Sequence, residues 1–130
     1  MSDRKLVSSG SYLEPIIGFS RAVRVGHIIA VGGTAPIAAG GGTAAKGDVY
    51  GQAKRILEII GKALADAGAD FEHVTRTRVI LTDITLWDEA AKAHAEIFKE
   101  IRPVTTVMAV SAFVDPDWLI EIEVDAVVPE

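Results

Sequence analysis

From Ile120 to Val128 the chain alternates without interruption. Ile120, Ile122, Val124, Ala126 and Val128 fall on one side and Glu121, Glu123 and Asp125 on the other, with Leu119 and Val127 at the ends. A period of two is the signature of a β-strand, whose successive side chains point to opposite faces. A strand that is apolar on one side and acidic on the other belongs to a sheet with one covered face. The apolar row is expected to meet helices, and the acidic row to meet water, a cation or arginines.

The rest of the chain supplies the partners such a strand needs. Lys5–Ser9 reads as a short first strand and the stretch from Gly10 to Gly18 as a loop. Ala22–Val25 and Ile28–Val31 flank Gly26-His27 and predict a hairpin, with Gly32-Gly33 ending its second strand. Asp48 is placed to cap a helix in which Val49, Ala53, Ile56, Leu57, Ile60, Leu64 and Ala67 recur at three- and four-residue steps, with Gly68 as the stop. Val74–Thr82 is rich in Val, Ile and Thr and predicts a strand. A second helix is expected from Asp88, with Ala91, His94, Ile97, Phe98 and Ile101 along one face, and Pro103 forces Arg102 out of the helical region. Thr105–Phe113 and Leu119–Val128 are the remaining strands, joined through a turn at Asp115-Pro116-Asp117.

The order is β-β-β-α-β-α-β-β, an α+β pattern over residues 1–130 read as one domain. Right-handed crossovers place both helices on one face of a mixed sheet. Two helices leave the other face bare, so that face is either polar and wet or covered by another subunit.

Composition narrows the function. The net charge of -5 disfavours nucleic acid and anionic membranes as partners, and no apolar run reaches the roughly 18 residues of a membrane span. Without Cys there is no disulfide framework, thiolate metal site or Cys nucleophile. The first ten residues lack an apolar segment of the kind a signal peptide carries, so a cytoplasmic location is expected. Gly40-Gly41-Gly42 lacks the Gly-Lys-Ser/Thr ending of a phosphate loop.

Few residues carry possible chemistry. Glu121 or Glu123 can line a pocket as base, proton relay or ligand anchor; the alternative is a solvated acidic face. Arg76 and Arg78, read as sharing a face with Val74 and Ile80, can supply the counter-charge or form surface ion pairs. His27, His73 and His94 show no zinc-helix spacing, and His94 falls on an apolar helix face where a packing role suffices. Trp87 and Trp118 suit packing or interface anchoring.

Five segments, in order, resemble the Rid family, also called YjgF or L-PSP. Gly18-Phe19-Ser20-Arg21-Ala22-Val23-Arg24-Val25-Gly26 is similar to its Pro-Tyr-Ser-Gln-Ala-Val-x-x-Gly hairpin, and Val31-Gly32-Gly33-Thr34-Ala35-Pro36 to its Val-Ser-Gly-Gln-x-Pro turn. Val79-Ile80-Leu81-Thr82-Asp83-Ile84 matches its strand ending in Leu-Thr-Asp, Arg102-Pro103-Val104-Thr105-Thr106-Val107 its Pro-Ala-Arg-Thr/Ser stretch, and Ile120-Glu121-Ile122-Glu123 its Ile-Glu-Ile-Glu. The resemblance implies a chorismate-mutase-like fold, a homotrimer with small-molecule clefts between subunits, and hydrolysis of reactive imines and enamines without metal or organic cofactor. It also implies Glu121 as the water-activating carboxylate and Phe19, Gly33, Thr34, Arg102 and Thr105 as ligand-binding positions. Four positions depart from the pattern: the family's Tyr is Phe19, its Ser and Gln are Gly32 and Thr34, and the arginine that clamps the substrate carboxylate is Thr105, with Arg102 three residues earlier. A hydroxyl in place of a guanidinium predicts a substrate less anionic than an amino-acid imine. The competing functional readings are a non-catalytic metabolite-binding or regulatory trimer and, suggested by an older family name, a ribonuclease.

Overall fold

The computed structural model describes residues 4–129. Six strands form one sheet: β1 (Arg4–Val7), β2 (Ala22–Val25), β3 (Ile28–Thr34), β4 (Val74–Leu81), β5 (Val104–Ala109) and β6 (Ile120–Val127), in the order β1-β2-β3-β6-β4-β5. Only β4 and β5 pair in parallel. Helix α1 (Val49–Asp66) connects β3 to β4 and α2 (Trp87–Phe98) connects β4 to β5. The closing strand β6 inserts between β3 and β4, antiparallel to both.

The core lies between this sheet and the helices. Ile120, Ile122, Val124 and Ala126 are fully covered, as their alternation predicts, together with Ile29, Val79 and Leu81 from neighbouring strands. From α1 come Val49, Ala53, Ile56, Leu57, Ile60 and Leu64. Covering each large aliphatic side chain of this set stabilises by about 1.5–3 kcal/mol relative to exposure. Asp48 caps α1 by accepting a hydrogen bond from the Gly51 N–H at 3.0 Å. At the other end Gly68, with φ +87°, adopts the left-handed conformation that stops the helix. There Arg24 Nη1 donates to the Ala67 carbonyl at 2.9 Å, placing a cation where the helix dipole favours one.

Several boundaries differ from the expectations. The hairpin strand β3 does not end at Gly32-Gly33; it runs on to Thr34 through a register shift against β6 between Val31 and Thr34. Val74 does not share a face with Arg76, Arg78 and Ile80, because a second irregularity between Val74 and Arg76 turns Val74 into the core. Helix α2 begins at Trp87, and its buried positions are Ala90, Ala93 and Phe98, with His94 and Ile97 only partly covered. Arg102 does leave the helix, with φ +58°. Strand β5 stops at Ala109, and the chain then loops to the Asp115–Asp117 turn.

Both helices cover the same face. On the other, Arg78 Nη1 lies 3.0 Å from Glu123 Oε1 and 3.6 Å from Asp125, and Arg76 Nε is 3.7 Å from Asp125. Beside these ion pairs Leu6, Val25, Ile28 and Val127 form an exposed apolar strip, linked through the pairings Val25↔Ile28 and Ile28↔Val127. Among the described residues no helix is long and apolar enough to cross a membrane.

Candidate functional site

The site is organised by a buried arginine. Arg21 stands at the mouth of β2 and is only 4% exposed. Covering a guanidinium requires acceptors, because an unsatisfied buried charge is costly. They come from two directions. Arg21 Nη1 donates to the carbonyls of Gly33 (2.7 Å) and Gly32 (3.3 Å) and to Thr34 Oγ1 (3.1 Å). Arg21 Nε donates to Ser9 Oγ at 3.2 Å, and Ser9 Oγ in turn donates to Glu14 at 3.1 Å. Burial lowers the affinity of Arg21 for its proton while the charges of Glu14 and Glu121 oppose that shift; a guanidinium remains protonated in proteins.

Glu14 belongs to the short helical turn Glu14–Gly18. Burial pushes its carboxyl up, but hydrogen bonds from Ser8, Ser11 and Ser9 outweigh it and hold the group below the usual carboxylate range. The backbone N–H groups of Ser9 and Ser11 donate to it at 3.1 and 3.0 Å. The 9–14 loop is thus folded around a carboxylate, and that carboxylate steadies Arg21 through Ser9.

The bulge in β3 brings Gly33 against Glu121. A Cβ at Gly33 would lie 2.8 Å from Glu121 Oε1, so only glycine leaves this carboxyl its place. Burial raises the Glu121 carboxyl above the ordinary range; Arg21 pulls it down and Glu123 adds to the rise. Glu121 thereby differs from Glu123, its neighbour on the same strand face, which is tied to Arg78.

Glu121, Gly33 and Arg21 line a partly open cavity of about 140 Å³ together with Ser11, Trp118 and apolar side chains that include Ile17. Trp118 is 3% exposed, and among the described residues its indole N–H has no acceptor. Gln52 of α1, fully buried, holds this wall: its Nε2 donates to the Asp117 carbonyl and its Oε1 accepts from the Leu119 N–H, both at 2.9 Å.

The residues singled out from sequence divide into two groups. Phe19, Gly33, Thr34 and Glu121 gather around Arg21, whose guanidinium carbon sits 5.2 Å from the Phe19 ring centre. Arg102 and Thr105 lie elsewhere. Thr105 is paired with Thr77 on the helix-facing side of the sheet; their hydroxyls are 2.8 Å apart, and Thr77 also meets His94 Nε2 at 2.8 Å. Burial lowers the proton affinity of His94, as suits a neutral packing imidazole. Arg102 borders an open depression with His94, Phe98 and Pro103. Arg21, Trp118 and Gln52 carry no periodic signal that marks them as site residues; the only hint of Arg21 is a charge at the start of an otherwise apolar strand. Among the described residues no group of His, Asp and Glu gathers in a metal-holding arrangement.

A half-covered carboxyl beside a glycine bulge, in a mixed sheet backed on one face by two helices, defines an α+β protein of the YjgF/L-PSP fold. The chain belongs to the Endoribonuclease L-PSP family, the Rid or YjgF proteins, whose model matches residues 9–128. The crystal structure of Rv2704, a YjgF-family protein of Mycobacterium tuberculosis, superposes with a TM-score of 0.88 at 42% identity over 97% of this chain and all of that one. An uncharacterized protein of Streptomyces coelicolor is 39% identical over 92% of this chain and 89% of its own length. The 3-aminoacrylate deaminase RutC of Acinetobacter baylyi is 31% identical over 83% of this chain and 85% of its own. The human 2-iminobutanoate/2-iminopropanoate deaminase is 29% identical over 84% and 80%.

Proposed function

We propose that this protein hydrolyses a small imine or enamine, with Glu121 as the group that moves the proton, in a homotrimer whose neighbouring subunit completes the cleft. The observation that carries this reading is the Glu121 carboxyl, raised by burial and held against the bare backbone of Gly33 at the wall of a ligand-sized cavity. A general acid–base group works best with a pKa drawn toward the working pH, and burial draws a carboxyl in that direction. The deaminase names of two relatives point the same way.

The chemistry requires one group to accept and return a proton. The ionised Glu121 takes a proton from water as the water oxygen bonds to the carbon of the protonated C=N group, giving a carbinolamine. Glu121 then returns that proton to nitrogen, the C–N bond breaks, and ammonia leaves as the remaining hydroxyl proton passes to solvent. The sum is imine plus water to carbonyl plus ammonia, with no cofactor in the balance. Gly33 keeps side-chain atoms away from the reacting centre. The apolar strip of Leu6, Val25, Ile28 and Val127 supports the trimer, since a contiguous exposed apolar surface of this kind marks an interaction face.

Ammonia release from freshly generated 2-iminopropionate is the test. Acceleration by the wild type, reduced about a hundredfold or more in Glu121→Gln, is expected. A rate equal to buffer across a panel of C=N compounds, charged and neutral, would overturn the enzymatic reading. A non-catalytic binding trimer would then stand in its place, favoured by the hydrogen bond that ties Thr105 to Thr77.

A further inference from the structure

Gly33 is held from two sides. Arg21 Nη1 donates to its carbonyl at 2.7 Å, and a Cβ on it would lie 2.8 Å from Glu121 Oε1. The same guanidinium nitrogen reaches the Gly32 carbonyl and Thr34 Oγ1, and the Arg21 carbonyl accepts from the Gly32 N–H at 3.0 Å. Arg21 therefore grips, with main chain and side chain together, the stretch in which β3 shifts register against β6. A bulge disrupts the strand ladder locally, so its shape needs support from elsewhere. The other arm of the fork runs away from the cavity. Arg21 Nε donates to Ser9 Oγ, and the Ser9 proton goes to Glu14. Glu14 is 9% exposed and stands outside the lining of the Glu121 cavity. A continuous line thus joins Glu14, Ser9, Arg21, Gly33 and Glu121, with a cation between two acids. The proposed hydrolysis uses only the last two.

We infer that Arg21 and Glu14 are positioning residues for the reaction at Glu121. Arg21 fixes the bulge against which that carboxylate rests and supplies a cation at its cavity; Glu14, through Ser9, holds Arg21 and limits the effect of its charge. The charges that bear on Glu121 are Arg21 from β2 and Glu123 from its own strand. Glu123 is tied to Arg78, and Arg21 feels Glu14 as well as Glu121. Burial and Glu123 push the Glu121 carboxyl up, and Arg21 opposes them. The hydrolysis starts from ionised Glu121. A carboxyl driven too high has no ionised form to offer at neutral pH, and one pulled too low is a weak base. Arg21 restrains the rise with a charge that does not titrate, and Glu14 keeps the restraint partial. Arginine suits both tasks because its planar fork meets two sets of acceptors in fixed geometry. The inference rests on the proposed role of Glu121, but the proton affinity of that carboxyl can be measured without turnover, so the two can fail separately.

The test is a ¹³C NMR titration of the Glu121 side-chain carboxyl, identified as the resonance missing from Glu121→Gln, beside the pH profile of kcat/KM for imine hydrolysis. Arg21→Gln is expected to move the Glu121 midpoint up by about one pH unit, the size of effect that a nearby opposite charge has. The acid limb of the profile is expected to move with it. Arg21→Lys keeps the charge but loses the fork, so most of the midpoint is expected to return while the Gly33 and Thr34 amides still exchange faster than in the wild type. Glu14→Gln leaves the Arg21 charge unopposed and is expected to move the midpoint down. Opposite signs from two residues of one network discriminate, because a merely loosened fold would move both variants the same way. Thermal melts show which variants are folded, and the Arg21→Lys and Glu14→Gln variants carry the test if Arg21→Gln is not. An unmoved midpoint in a folded Arg21→Gln, no recovery in Arg21→Lys, or a midpoint that stays or rises in Glu14→Gln would overturn the inference. Hydrolysis by the wild type with the same pH profile in all three variants would sink the inference and leave the enzyme standing. Midpoints that move as expected in a protein without hydrolysis would support the network and overturn the hydrolytic reading.

Discussion

Glu121 and Glu123 lie two residues apart on one strand face, yet their surroundings separate them. Glu123 has Arg78 at 3.0 Å, whereas Glu121 is partly covered and feels the charge of Arg21 without an ion pair to it among the described residues. Because the folded protein raises the Glu121 carboxyl above its ordinary value, the stability linked to its proton is fully present below that ordinary value. It is lost as pH rises through the raised one. Glu121→Gln, which stays neutral, is therefore expected to melt higher than the wild type at pH 8, with the difference shrinking toward pH 4; melting curves at the two pH values check this. A gain in stability together with a loss of activity is the mark of a residue kept for function. The alternation of the last strand placed Glu121 and Glu123 on one face, and the resemblance to the family is what favoured Glu121. Arg21 was not legible in the same way, because its acceptors come from Ser9, Gly32, Gly33 and Thr34, positions that no local period connects.

Among the elements, α1 positions the site most directly. Its N-terminus depends on the hydrogen bond from the Gly51 N–H to Asp48, and Asp48→Ala is expected to destabilise the fold by about 1 kcal/mol in urea titration. Gln52, one helical turn into α1, is polar in an otherwise apolar row and joins the helix to the turn carrying Trp118. Gln52→Leu would leave the Asp117 carbonyl and the Leu119 N–H without partners. A loss of about 1–3 kcal/mol is expected, accompanied by a change in Trp118 fluorescence; an unchanged spectrum would mean that Gln52 does not hold that wall. Both helices and every strand were legible from periodicity and caps. The ends of the strands were less so. Gly32-Gly33 reads locally as a stop, but pairing with β6 carries β3 two residues beyond Val31 to Gly33 and on to Thr34 as a bulge. Val74 reads as a companion of Arg76, but the irregularity beside it moves it across the sheet. A bulge depends on the partner strand, and the partner of both β3 and β4 lies at the far end of the sequence.

At the scale of the whole molecule the sheet has one face closed by helices and one open. The open face combines the Arg76, Arg78, Glu123 and Asp125 ion pairs with the strip of Leu6, Val25, Ile28 and Val127. Half-exposed ion pairs of this kind contribute little to the stability of one chain, and the apolar strip gains nothing in water. Both become useful when another copy covers them. Sedimentation is expected to give about three times the 13.8 kDa chain mass, and Ile28→Asp to shift the protein toward monomer. A wild type that is monomeric at micromolar concentration would remove the subunit-cleft part of the proposed function and leave the cavity within the chain as the whole site. The sequence by itself determined the order of elements, the two amphipathic helices, the covered face of β6 and the position of the acidic row, because each follows from residues close together in the chain. Only the tertiary structure decided which acid is tuned and which is paired, that Arg21 is the buried cation at the cavity, and that the Trp118 N–H is buried without an acceptor among the described residues. Those properties arise from burial and from contacts between distant segments, and a local pattern of side chains does not encode which distant groups will meet.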